Sequence, residues 1–137
     1  MKPLAAAFLL LVLSTGCKKY VEKQAQNALV YAMVNGQWTI TSFVQNGTSI
    51  TTDFDGYAFK YYENKTVDAI KNGTVQKTGN WDGDINTKTT WASFTGVTQP
   101  LSLINGSWHI DDSGWSYVIA TQTNGAETKT MRLDKQP

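Results

Sequence analysis

The stretch GQWTITSFVQNG, Gly36 to Gly47, decides how this chain folds. Trp38, Ile40 and Val44 recur at a period of two, with Ser42 interrupting the apolar series. One apolar face at that period is what a half-buried antiparallel strand requires. Asn46-Gly47 then supplies the positive φ angles of a tight turn whose twist suits two antiparallel strands. The stretch therefore reads as a strand running into a hairpin turn.

The same punctuation continues outward. Gly-x-Trp appears three times, as Gly36-Gln37-Trp38, Gly79-Asn80-Trp81 and Gly106-Ser107-Trp108. Asn72-Gly73 and Asn124-Gly125 repeat the Asn-Gly signal, and Asn64-Lys65, Asp82-Gly83-Asp84 and Asp112-Ser113-Gly114 mark weaker bends. Strands are predicted over residues 37–45, 57–63, 66–71, 74–82, 89–97, 107–111, 115–122 and 127–134. Alternation is clear in Tyr57, Phe59, Tyr61 and again in Trp115, Tyr117, Ile119. Short links make neighbours in sequence neighbours in space. Closing such a meander removes its two exposed edges. The expected fold is all-β: an eight-stranded antiparallel up-and-down barrel over residues 35–137, with an open sheet or a sandwich as the rival. A glycine beside each large ring is expected where the backbone bends or approaches closely.

Upstream the texture differs. Met1-Lys2 followed by the apolar run Pro3 to Leu13 suits a secretory signal and is too short to cross a bilayer as a helix. LSTGC, Leu13 to Cys17, resembles the lipobox of bacterial lipoproteins, with leucine one place further from the cysteine than usual. That resemblance implies a signal peptide at residues 1–16 and acylation of Cys17 (the palmitate-bearing lipid anchor). The rival is an ordinary signal peptide that leaves Cys17 as a stray thiol. Lys18, where an aspartate would signal inner-membrane retention, implies the outer membrane. The basic KKYVEK run implies its periplasmic face. Residues 17–34 are read as a lipidated tether or short helix, because Val21, Ala25, Ala28, Leu29 and Ala32 recur at helical spacing.

A Gly-x-Trp opening the first strand of an eight-stranded meander resembles the lipocalin and wider calycin signature. The likeness is closer to the small lipocalin-like domains of Gram-negative lipoproteins, and it covers Gly36 to Lys135. It implies that Gly36 and Trp38 close one end of the barrel and that Arg132, the only arginine, covers the indole. Alternation beside Met131 and Leu133 would instead aim Arg132 outward, so a solvated arginine stands beside the capping one. Thr52-Asp53-Phe54 comes too early to match the Thr-Asp-Tyr motif of long-chain lipocalins.

Composition excludes several functions. Taking Lys2 from the 12 basic residues leaves them equal to the 11 acidic ones, and no basic stripe suggests nucleic acid. His109 is the only histidine and Cys17 the only cysteine, so metal clusters and His-paired relays lack material. Asp82 to Asn86 begins like a calcium loop, but Thr87 and Ser93 stand where that loop needs Gly and Glu. No nucleophile elbow, phosphate loop or dinucleotide fingerprint occurs. A non-enzyme without cofactor or metal is expected. Ile40, Val44, Phe59, Tyr61, Trp91, Tyr117 and Ile119 are the expected interior residues. They line either a cavity for a small hydrophobic ligand or a solid core, the second leaving a protein-protein interaction module.

Overall fold

The computed structural model describes residues 20–137. The readings of residues 1–16 as a signal and of Cys17 as an acylation site lie outside the described residues. Helix α1 runs through residues 20–34. It is followed by β1 (Trp38–Gln45), a two-residue β2 (Thr48–Ser49), β3 (Tyr57–Tyr61), β4 (Thr66–Lys71) and β5 (Thr74–Asp84). Then come β6 (Thr89–Ser93), β7 (Gly106–Ser113), β8 (Tyr117–Asn124) and β9 (Glu127–Lys135). Each strand from β3 onward pairs antiparallel with the next, β1 pairs with β3, and β9 returns to β1. With β2 only a flap on β1, the result is a closed eight-stranded antiparallel barrel. Neither an open sheet nor a sandwich forms.

The turns explain why the ribbon folds back where it does. Asn46 and Gly47 have φ of 49° and 80°, and Asn72 and Gly73 have 50° and 82°. Those are the paired positive angles that Asn-Gly hairpins supply. Bulges then reset which residues face inward. Register shifts between Ile40 and Ser42 leave Thr41 as an extra residue in β1. Trp38 and Ile40 point in before it and Phe43 after it, so Val44 leaves the inward set. The pair of polar residues Thr41-Ser42 is the sequence trace of this bulge.

The interior alternates very large and very small side chains, as a narrow closed barrel requires. Trp38, Trp81, Trp108, Phe43 and Phe59 are essentially inaccessible, and so are Ala69 and Ala120. Trp81 faces Ala92 directly across the β5–β6 ladder. Two short 3-10 turns close the end at which β1 finishes. One, Thr51–Phe54, stacks Phe54 on Phe43 with centroids 4.8 Å apart. The other, Leu101–Ile104, buries Leu101, Leu103 and Ile104. Helix α1 covers the opposite end.

Candidate functional site

Each of the three Gly-x-Trp copies builds the same small arrangement. The Trp38 Nε1–H donates to the Met33 carbonyl at 2.9 Å, that of Trp81 to Tyr62 at 3.0 Å, and that of Trp108 to Ile104 at 2.7 Å. A lysine then lies over each ring: Lys135 Nζ at 5.1 Å from Trp38, Lys65 at 5.2 Å from Trp81 and Lys129 at 5.6 Å from Trp108. A buried indole needs a partner for its one donor. A cation over its face adds about 0.5 to 2 kcal/mol according to solvent access. The glycines serve this packing in two ways. Gly36 and Gly106 sit at φ of +88° and +105°, whereas a Cβ on Gly79 would strike the Ser93 carbonyl and lie 2.7 Å from the Phe94 ring.

Arg132 does not cover Trp38. Its guanidinium stacks on Tyr117, 5.0 Å from the ring centroid, and its Nε and Nη2 donate to the Asp134 carboxylate at 2.9 and 3.0 Å. Met131 and Leu133 fill the inward positions, so strand parity sends Arg132 out, and Lys135 beyond the end of that series reaches the indole instead. The Arg132 hydrogen bond, opposed by partial burial and aided by Thr41, holds the Asp134 carboxyl below its ordinary pKa.

The expected interior residues divide. Ile40, Phe59 and Tyr61 are buried in the barrel, and burial pushes the Tyr61 phenol well above its ordinary pKa. Val44 is displaced by the bulge at Thr41. Tyr117 and Ile119 face outward beside Arg132 and Asp112, while Val118 and Ala120 take the inward positions. Alternation favoured the bulkier residues of β8 and so chose the wrong phase. Trp91 lies opposite Asp82, 39% exposed, with its neighbour Ala92 inward.

The cavity within the barrel has a volume of about 40 Å3 and is bordered by Leu29 and Met33 of α1 and by Tyr61, Trp81, Trp108 and Met131. A single water needs about 10–15 Å3 of such space, whereas small-molecule sites run to about 300–1,000 Å3. The interior is a packed core. Lys129 joins it from the inward row of β9: the residue is 7% exposed, and its ammonium donates to the Leu103 carbonyl at 2.9 Å and lies 3.5 Å from Glu127. Nothing in residue type marks Lys129 as buried; its shared parity with Met131 and Leu133 is the signal that finds it.

Helix α1 is held to the other end by a few polar clamps. Gln26 donates to the Gly83 carbonyl and accepts from the Ile85 N–H, both at 2.8 Å. Lys60 Nζ caps the helix end through the Val34 carbonyl at 2.8 Å. Two of the open depressions outside the barrel lie beside α1. One is polar and bordered by Gln26, Lys65, Asp82, Asn86 and Trp91; the other is apolar, about 270 Å3, between α1, Ile85 and Trp115.

The polar residues singled out in the sequence are occupied structurally. Asp82 pairs with Lys65 at 3.0 Å. Burial opposes ionisation there, but Lys65 and the Gly83 N–H outweigh it and hold the carboxyl below its ordinary pKa. Asp84 accepts from the Asn86 N–H. His109 points outward, 3.1 Å from Asp111. Among the described residues no group of three or more His, Cys, Asp or Glu is placed to hold a metal ion. Likewise, no described helix is long and apolar enough to cross a membrane.

No protein-family model matches the chain, and no curated protein matches it. Among solved structures, a DUF4847 family protein from Bacteroides vulgatus ATCC 8482 is similar, with 12% identity, a TM-score of 0.50, and coverage of 77% of this chain and 96% of that one. At that identity the likeness shows the fold, an eight-stranded barrel.

Proposed function

We propose that this protein is a lipid-anchored, non-catalytic component of a bacterial cell envelope that acts through the outside of its barrel, as an interaction module for another envelope protein. The observation that carries the reading is the filled interior. With Trp38, Trp81, Trp108, Phe43 and Phe59 packed inside and about 40 Å3 left, capture of a small hydrophobic molecule within the barrel is set aside. What a rigid, capped barrel presents to other molecules is its surface. Its wall carries separate apolar side chains at Tyr62, Val75 and Trp91.

The lipocalin-like lipoprotein identity rests on the Gly-x-Trp opening at Gly36 to Trp38 and on the LSTGC run ending at Cys17. In this reading Cys17 carries several acyl chains, which stable anchoring requires, and the barrel stands on the periplasmic face of the outer membrane. A photo-crosslinking side chain at Val75 or Trp91, activated in intact cells, should yield a discrete protein adduct. Only scattered products from both positions would defeat the interaction reading. Metabolic labelling with a fatty-acid analogue should mark the wild-type chain and not the Cys17→Ser variant; label retained in that variant refutes the anchor.

A further inference from the structure

The end of the barrel covered by α1 carries exposed aromatic residues that the core does not use. Tyr20 and Tyr31 of the helix are 65% and 60% exposed, and Trp115 on the β7–β8 loop is 65% exposed. Tyr31 and Trp115 meet edge to face with centroids 6.4 Å apart. Tyr20 and Tyr31 are eleven positions apart, close to three full helical turns at 3.6 residues per turn, so they project from the same side of α1. The opposite side of the helix, with Leu29, Ala32 and Met33, faces the barrel. The outward side is thus a row with a tyrosine at each end, Gln24 and Asn27 between them, and a tryptophan beyond.

We propose that this end of the molecule is a membrane-seating face, with α1 lying flat in the headgroup layer and Tyr20, Tyr31 and Trp115 entering the interface. Two observations choose a lipid surface over a protein partner. The first is where the chain leads. Cys17 is three residues before Tyr20, and three residues span at most about 10 Å. An acylated Cys17 therefore holds this face, and no other part of the barrel, against the bilayer. The inference rests on the anchored reading in that respect. The second is chemistry. Tyrosine and tryptophan are the residues that settle at membrane–water boundaries, with an apolar body and a polar tip. Lys18, Lys19 and Lys23 outnumber Glu22 in the same segment, which favours an anionic headgroup layer. The wall carrying Val75 and Trp91 is left free for a partner.

The test separates the seat from the anchor. Residues 20–137 contain the closed barrel and its covering helix, so the chain from Cys17 onward carries the described fold. That chain is coupled through its single thiol to a maleimide lipid in phosphatidylethanolamine–phosphatidylglycerol vesicles, which supplies a tether whether or not cells acylate Cys17. Brominated acyl chains then quench tryptophans that enter the interface. The Trp115-dependent part of the emission, obtained by subtracting the Trp115→Phe variant, should fall roughly two-fold. Trp91→Phe should leave the quenching unchanged. Equal quenching of wild type and Trp115→Phe would overturn the proposal. So would unquenched Trp115 together with a protein adduct from a photo-crosslinker at Tyr31. A Cys17→Ser chain that still labels with fatty acid defeats the anchor alone, because the vesicle result does not depend on it.

Discussion

The two ends of the barrel use the same device at different depths. At one end Trp108 donates to Ile104, and Lys129 is threaded inside, bonded to the Leu103 carbonyl and lying over the indole. At the other end Trp38 donates to Met33, but Lys135 lies at the rim, where among the described residues its ammonium makes no hydrogen bond and only lies over the ring. The first end is sealed by a 3-10 turn built into the β6–β7 connection. The second is sealed by α1, which is joined to the barrel through Gln26, Lys60, Leu29 and Met33. One closure belongs to the barrel and the other is a separate element laid across it. The helix end is the face with exposed aromatics, whereas the opposite end is part of the core.

Substitutions that break each closure should rank accordingly. Trp108→Ala and Trp38→Ala each remove a fully buried indole and should cost about 3–5 kcal/mol in denaturant unfolding. A loss below 1 kcal/mol at either site would contradict its burial. Gly79→Ala forces a methyl group onto the Ser93 carbonyl and the Phe94 ring and should cost about 1–3 kcal/mol by overpacking. Lys129→Met leaves the buried Leu103 carbonyl without its donor, an expected loss of about 1–3 kcal/mol. The matching Lys135→Met forfeits only a partly solvated cation–π contact, about 0.5–1 kcal/mol. Equal losses for the two lysines would erase the contrast between the ends.

The smallest effect concerns pH. The Asp134 carboxyl is depressed by Arg132 in the folded chain, so its contribution is present above the unfolded carboxylate pKa, about 3.9. It is lost as pH falls through the lower folded value. Asp134→Asn should therefore flatten the acid limb of the stability profile and leave the neutral region little changed. A steeper acid limb in that variant would reverse the sign.

Most of the ladder was legible because Asn-Gly pairs and alternation act locally. The eight predicted strands correspond to those observed, with ends shifted by a few residues: the strand read over 89–97 stops at Ser93, and the one read over 107–111 continues to Ser113. What was not legible is what depends on parity after a bulge. One extra residue at Thr41 exchanges Val44 for Phe43, and the large residues of β8 face solvent because the crowded interior accepts only Val118 and Ala120. Phe54 reaches the core from a 3-10 turn, where no period marks it, and Phe94 follows Ala92 in the phase opposite to the one Trp91 suggested. The lysine lids were hidden for another reason. A lysine over an indole is decided by tertiary placement of a flexible stem, and the family resemblance pointed to Arg132, the one cation that parity sends elsewhere.

The fold and the proposed function both rest on a full barrel interior. Its most direct test is a titration of the purified chain with apolar ligands of graded size, followed by the emission of the buried tryptophans. No saturable change is expected for any ligand larger than a few atoms. A saturable, one-to-one change in emission that disappears when Met131, which borders the small remaining space, is enlarged to Trp would contradict it.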